Sequence, residues 1–558
     1  MKDYEETIVF LGEWGPFQRL IYILLSLSAI PNGYMSLSMV FLGDIPPHHC
    51  RVPFLNSSYG GLGYNLSIPT EELKGETILS RCRRYSEQEH SDAAYRNDTE
   101  GCLDGWVFSK ERYVSTIVTE WNLVCDDAWK APFTLTVFFI GVLAGSFCSG
   151  ILSDRYGRKI TFFSTKALQT LLSLLLAFSN SWEMFCVVYC VLGVMDISCY
   201  CTCFVLGSEL LSKSARVSFG ILGVCLCYAT GYAILPLFAY FIRDWRRLQI
   251  ALSVLGFLYI PLWWYIPESP RWLITQGRLQ EAEAIIRAAA KKNTITPPED
   301  IFQLKHSTDT KETEHESESQ NKYTWLDLLK TRNIRNITVI SIIMWITITL
   351  TYYGLTFNTS NLDGDPYLNC LIAAGTEFLA AIVVWITMRF APRRFTLPFT
   401  LLLGGAFMLL IQFVPEELNA LTVTLAMIGK LVVTGAFSFV YVYSTELFPT
   451  VVRNMGLGVT SMASRIGSTV SPYIAYIGTY NKVLPYILMG TISLFSGGLS
   501  LLLPETKGEK LPELISQVKP LQWCCQKKRV VDTNGDVPMT NVKEMAETQE
   551  KEIIVIRF

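Results

Sequence analysis

Five ionisable side chains stand inside otherwise apolar stretches of this 558-residue sequence: Lys166, Asp196, Glu377, Lys430 and Arg465. A charge in hydrocarbon costs several kcal/mol unless it faces a partner or a water-filled cavity, so each marks a site where something is held. Arg465 lies in Ser461-Met462-Ala463-Ser464-Arg465-Ile466-Gly467-Ser468, too deep to snorkel to either surface. Its guanidinium can grip a carboxylate through two parallel hydrogen bonds, which suits an anionic or zwitterionic solute; the competing use is a structural partner for Glu377. A quaternary ammonium needs aromatic faces, worth about 0.5–2 kcal/mol each. Tyr200, Tyr228, Trp345, Tyr352, Tyr353, Phe437, Tyr441 and Tyr443 supply them within the same stretches, although packing is the commoner use of such rings. Asp196 can bind sodium, take a proton or pair with Lys430. Asn32, between Pro31 and Gly33, offers an oxygen to a sodium ion where the helix is loosened, or simply marks a kink.

The elements that must position these residues are membrane spans. The chain is 50% hydrophobic and 13% aromatic, with mean hydropathy +0.30, more apolar material than one soluble core can bury. Twelve stretches can each cross a hydrocarbon layer as a helix: residues 19–43, 131–153, 160–180, 182–206, 217–241, 248–266, 338–357, 367–388, 395–414, 420–443, 455–477 and 484–503. The expected fold is all-α, two halves of six helices. No cleaved leader is expected from Met1-Lys2-Asp3-Tyr4-Glu5-Glu6. Arg155, Arg158, Lys159, Lys213, Arg216 and the segment from Glu268 to Asn336 fall on one side, which the positive-inside rule makes cytoplasmic, as it does both termini. Arg243, Arg246 and Arg247 break that bias in a short outer loop partly balanced by Asp244.

Two polar loops divide the compartments. Residues 44–129 carry Cys50, Cys82, Cys102 and Cys125 with glycosylation sequons at Asn56, Asn65 and Asn97, and so are expected outside the cell, with two disulfides among three open connectivities. The organisation expected is residues 1–266 as the first half, 267–337 as a cytoplasmic loop, 338–504 as the second half and 505–558 as a tail. Leu279–Arg287 has helical periodicity, Ser307–Lys322 reads as a disordered linker, and Cys524 and Cys525 beside Lys527, Lys528 and Arg529 are candidates for palmitoylation. Cys186, Cys190, Cys199, Cys201, Cys203, Cys225 and Cys227 sit on apolar helices and read as small buried residues, so no metal site is assigned.

The halves repeat. Gly150-Ile151-Leu152-Ser153-Asp154-Arg155-Tyr156-Gly157-Arg158-Lys159 has a degraded counterpart in Arg389-Phe390-Ala391-Pro392-Arg393-Arg394, 235 residues on. Glu209 and Arg216 recur as Glu446 and Arg453, and Pro267-Glu268-Ser269 recurs as Pro504-Glu505-Thr506, both at an offset of 237. A duplicated six-helix unit with its binding site at the midplane between halves accounts for all three. Asp154, Arg155, Arg158, Glu209, Arg216, Glu446 and Arg453 are candidate ion-pair latches of a gate, or plain headgroup anchors. No nucleophile–base pair, cofactor loop or metal spacing argues for an enzyme. Gly207-Ser208-Glu209-Leu210-Leu211-Ser212-Lys213-Ser214 lacks the glycine and the preceding strand of a nucleotide loop, and a net charge of −2 points to no nucleic acid.

The Gly150–Lys159 motif resembles the signature of the major facilitator superfamily, and Pro267-Glu268-Ser269-Pro270-Arg271-Trp272-Leu273 that of its organic ion transporter family. Phe10-Leu11-Gly12-Glu13-Trp14-Gly15-Pro16-Phe17-Gln18-Arg19, Ile30-Pro31-Asn32-Gly33, Thr119-Glu120-Trp121-Asn122-Leu123-Val124-Cys125 and Thr445-Glu446-Leu447-Phe448-Pro449-Thr450-Val451-Val452-Arg453-Asn454-Met455 are similar to the carnitine/organic cation branch. The resemblance implies a plasma-membrane carrier working by alternating access. It also implies that Tyr200, Trp345, Tyr352, Glu377 and Phe437 line the cavity, and that arginine at position 465 goes with carboxylate-bearing cargo, where cation-selective members carry aspartate. Carnitine with sodium coupling is the reading that follows; ergothioneine or broad cation transport, sodium-independent or proton-linked, and a non-transporting sensor are the alternatives. One departure stands in the site: the branch usually reads Ile-Ser-Asn-Tyr where this chain has Ile197-Ser198-Cys199-Tyr200.

Overall fold

The computed structural model describes residues 9–52, 67–73, 76–86, 99–298, 301–302, 325–415, 417–508, 512 and 515–521. The sequons at Asn56, Asn65 and Asn97, the stretch 307–322, and Cys524 and Cys525 lie outside these. Twelve long helical segments follow in order: α1 (Pro16–Leu42), α2 (Lys130–Tyr156), α3 (Arg158–Leu176), α4 (Trp182–Leu210), α5 (Lys213–Ser218 running on to Phe241), α6 (Trp245–Trp264), α7 (Arg332–Phe357), α8 (Pro366–Phe390), α9 (Arg393–Leu410), α10 (Asn419–Leu447), α11 (Arg453–Ile477) and α12 (Leu484–Ser500). Nine of the described helices are long and apolar enough to cross a membrane by length and composition; α3 and α11 are too polar and α12 too short to count among them. Exposed Ile140, Phe147, Ile151, Leu171, Val187 and Phe495 give the bundle an apolar flank suited to lipid.

Local chemistry starts these helices. Proline opens α1 and α8, where its missing N–H costs nothing, and the side chains of Ser181, Asp244 and Asp365 accept from the amides of Met184, Arg247 and Tyr367. Gly157 turns the chain from α2 into α3 at φ +104°, a conformation an L side chain rarely adopts, and a Cβ there would strike the Glu268 carboxylate.

Packing within each half follows one plan. In the first, α2 and α3 lie on α4, α5 on α1 and α6 on α3; in the second, α8 and α9 lie on α10, α11 on α7 and α12 on α9. Adding six to each label carries one set into the other, which is the duplication seen at tertiary level. The halves meet where α2 touches α11 and α5 touches α8, a pair exchanged by the same operation. A break expected in α1 at Pro31–Gly33 falls elsewhere: the helix is interrupted at Ser28 and Ser38 and continuous between them. Gly33 is instead where α1 meets α5, since a Cβ there would run into the Tyr228 carbonyl.

The loop after α1 is folded. Disulfides join Cys50 to Cys102 and Cys82 to Cys125. The strands β1 (His48–Cys50), β2 (Thr70–Leu73), β3 (Glu76–Leu79), β4 (Arg83–Tyr85), β5 (Thr99–Gly101) and β6 (Trp106–Phe108) pair antiparallel as β1 with β6, β2 with β3 and β4 with β5. His48, Cys82 and Cys125 come close together, but both sulfurs are spent in bridges. The loop also explains the arginines between α5 and α6. Arg246 pairs with Glu120 at 2.5 Å and donates to the carbonyls of Ala177 and Ser179 past the end of α3, while Arg243 donates to the carbonyl of Glu111. These are docking contacts for the folded loop.

Candidate substrate site between the halves

The bonds that tie the halves together cluster on the side bearing the loop. Thr136 on α2 donates to the Thr469 carbonyl on α11 at 3.1 Å; Phe139 packs edge-on against Tyr353 at 4.9 Å; Phe41 stacks on Tyr367 at 5.3 Å. Toward the other face, the described ion pairs stay within one half. Arg158 reaches Asp154 at 2.6 Å and Glu209 at 3.2 Å, and Glu268 accepts from the amides of Arg158 and Lys159 at the start of α3. The second half repeats this: Arg393 lies 3.5 Å from Glu446, and Glu505 accepts from the amides of Arg393 and Arg394 at the start of α9. A carboxylate at a helix N-terminus meets unsatisfied N–H groups and the positive end of the dipole, which explains why Pro-Glu recurs after the sixth and twelfth spans.

The remaining gate candidates are arranged differently from simple Glu–Arg partners. Arg453 donates to the Phe448 carbonyl and to Thr450, Arg155 lies over the Tyr156 ring, and Arg216 is half-buried. Glu446 also accepts from Thr506 at 2.5 Å. The partner that sequence spacing missed is Arg393, the counterpart of Arg158 in the degraded motif.

An aromatic wall stands on α7 and α10 of the second half. Tyr352 stacks on Phe437 at 5.2 Å, Tyr353 meets Tyr352 at 5.0 Å, and Tyr441 meets Phe437 at 5.7 Å and Trp345 at 4.4 Å. Trp345 is fully buried behind it, with its indole N–H on Ser444 at 3.0 Å, whereas Tyr441 is 41% exposed. From the first half, Tyr200 comes within electrostatic reach of Tyr441, and Tyr228 within that of Tyr353 and Glu377. Tyr443 is not part of the wall; it is buried, and its hydroxyl donates to the Pro504 carbonyl at 2.8 Å.

The charges sort themselves into one ion pair, one hydrogen-bonded cluster and a remainder. Lys430 lies 3.7 Å from Glu377 and donates to the hydroxyls of Tyr232 and Thr356, each at 3.2 Å. Two of the alternatives weighed from sequence are thereby excluded: Lys430 is engaged with Glu377 rather than Asp196, and Glu377 is not held by Arg465. Asp196 accepts instead from Ser36 at 2.9 Å and from Gln169 at 2.6 Å, in a buried cluster with Asn32 and Lys166. Arg465, half-way along α11, makes no ion pair among the described residues; its buried Nε finds no acceptor there, and it lies within electrostatic reach of Tyr353, Tyr441 and Cys201. Cys199 is buried against α1 and borders a narrow recess with Ser28, Asn32, Tyr200 and Cys203.

Residues 87–517 match the sequence model of the family described as Sugar (and other) transporter. "Organic cation/carnitine transporter 2" of Homo sapiens is 50% identical over 530 residues, covering 93% of this chain and 94% of that protein. "Solute carrier family 22 member 4" of Mus musculus is 48% identical, covering 96% and 98%. The chain belongs to the major facilitator superfamily, in its organic cation/carnitine transporter branch.

Solved structures carry the same fold at low identity. A D-xylose–proton symporter superposes with TM-score 0.56 at 14% identity, covering 88% of this chain and 99% of its own. The xylose transporter of E. coli in a partially occluded inward-open conformation superposes with TM-score 0.57 at 15% identity, covering 89% and 100%. Membership of the superfamily makes the chain a multi-pass membrane transporter and not an enzyme. The halves of this transporter meet at α2 with α11 and α5 with α8; Arg465 stands on α11, and α7, which carries part of the aromatic wall, packs against α11.

Proposed function

We propose that this transporter carries zwitterionic quaternary ammonium compounds, carnitine foremost, across the plasma membrane by alternating access, with both termini in the cytoplasm. The observation that carries the reading is the charge left over between the halves. Glu377 pairs with Lys430 and Asp196 is linked to Lys166 through Gln169, so the guanidinium of Arg465 is the charge of this set without an ion pair among the described residues, and it lies within electrostatic reach of tyrosines. A lone cation beside stacked aromatic rings asks for a solute with a carboxylate at one end and a diffuse cation at the other. Relatives at about half identity are named as organic cation/carnitine transporters, which supports that choice.

The test is uptake of labelled carnitine by cells expressing the full chain, with ergothioneine and tetraethylammonium as competitors. Saturable carnitine uptake, displaced by ergothioneine more readily than by tetraethylammonium, is expected. Uptake of tetraethylammonium without carnitine would overturn the zwitterion reading in favour of a broad cation carrier. Binding without uptake would turn it into a sensor.

A further inference from the structure

The residues expected to hold a coupling sodium, Asn32 and Asp196, are both buried and close together, but their free oxygens are already engaged. The ammonium of Lys166 donates to Asn32 Oδ1 at 3.1 Å and to Gln169 Oε1 at 3.0 Å, and lies 5.4 Å from the centre of the Tyr259 ring. Gln169 passes the contact on, its Nε2 donating to Asp196 Oδ1 at 2.6 Å, while Ser36 donates to Asp196 Oδ2 at 2.9 Å and Asn32 Nδ2 donates to the Asp196 carbonyl at 3.3 Å. Lys166, Gln169, Asn32 and Asp196 are each no more than 7% exposed. Turning the Asn32 amide round would aim its NH2 at the ammonium, so the lysine also fixes that orientation.

A hard cation needs several oxygens converging on one point. Here the amide oxygens converge on a tethered ammonium, and both carboxylate oxygens point at N–H and O–H donors. The set does not fit sodium. A lysine would be a costly occupant of a membrane helix without this cluster, and the cluster would bury an uncompensated aspartate without the lysine.

We infer that Lys166 is a built-in cation standing where a coupling sodium would bind, so that this carrier moves its substrate independently of the sodium gradient. The first half is thereby held by a charge it cannot release, and substrate movement follows the substrate's own electrochemical gradient. Lys166 is a specificity-determining residue for the coupling ion, not for the solute. The uptake arm of the test rests on the transport reading above; the stability arm does not.

Two measurements on the full chain decide it. In cells, carnitine uptake by the wild type should be the same, within about twofold, in sodium and in N-methylglucamine medium. K166Q leaves the carboxylate and three polar side chains facing a vacancy, and its uptake should rise at least about threefold with sodium, as when an ion populates the competent state. In detergent, the thermal midpoint of the purified wild type should not respond to replacing N-methylglucamine by sodium at constant ionic strength. That of K166Q should rise, because an ion bound only by the folded state stabilises it. The neutral pair K166Q/D196N should be sodium-indifferent in both assays. A wild type whose uptake falls more than about threefold without sodium, or whose midpoint rises with sodium as far as that of K166Q, overturns the inference, as does a folded K166Q indifferent to sodium. Should K166Q fail to fold, the wild-type response to sodium decides alone. Absent carnitine uptake in every medium would refute the substrate reading and leave the thermal comparison standing.

Discussion

Replacing Arg465 by alanine isolates the carboxylate half of substrate recognition. The guanidinium makes no ion pair among the described residues and its Nε is unbonded, so the substitution removes no internal partner; the carbonyl of Arg465, which accepts from Ser468 and Thr469, is kept. Two charge-assisted hydrogen bonds to a carboxylate contribute together about 3 kcal/mol net. At about 1.4 kcal/mol per decade, R465A should raise the KM for carnitine about 100-fold. R465K keeps the charge without the planar fork, and with one bond lost the rise should be about tenfold. The assay is initial-rate uptake of labelled carnitine and of choline, which shares the trimethylammonium but has no carboxylate, normalised to surface protein. Choline uptake should hold or increase in R465A, since a like charge is gone. A carnitine KM within about threefold of wild type, or an equal loss for both solutes, would refute the carboxylate role and make Arg465 a packing residue.

Breaking the buried Lys430–Glu377 pair by K430M alone should cost about 3–5 kcal/mol and show as a lower thermal midpoint and less surface protein, while K430M/E377Q should recover much of it. G33A forces a methyl into the Tyr228 carbonyl between α1 and α5, and should cost about 1–3 kcal/mol, read as the same midpoint shift. Burial pushes the Glu505 carboxyl up, but the amides of Lys507, Arg394, Arg393 and Thr506 together hold it below its ordinary 4.5. A depressed folded pKa gives stability that is full above the unfolded value and lost as pH falls through the folded one. The wild-type midpoint should therefore fall with acid below pH 4.5, and E505Q should be less stable at neutral pH with a flatter acid limb. Peptide mapping under non-reducing conditions should recover Cys50 linked to Cys102 and Cys82 linked to Cys125; any other linkage contradicts the loop described here.

Much of the fold was legible because membrane burial writes itself into composition. Hydropathy marks α2, α4 and α7–α10 plainly, and the recurring Glu…Arg and Pro-Glu groups expose the duplication from sequence alone. The site was legible as a residue list, since a charge or a tyrosine in a span calls for a reason. Partner choice was not. Nothing in the spacing of Lys430 and Asp196 says that one belongs to α8 and the other to α3, because helices adjacent in space are distant in sequence. Arg393 was overlooked as the partner of Glu446 for a related reason: its motif had decayed while its place at the head of α9 had not.

The amino-acid sequence by itself determined that this chain lives in a membrane, that it is built twice, which side chains are charged or aromatic within the bilayer, and to which branch of carriers it is similar. Those are one-dimensional properties, set by side-chain transfer energies and local periodicity. Only the tertiary structure decided which disulfides form, which charges cancel, and that Arg465 is left without an ion pair among the described residues while Lys166 fills the cluster around Asp196. In a low-dielectric interior the meaning of a charge depends on what stands within a few ångströms of it, and that is settled by how the helices pack.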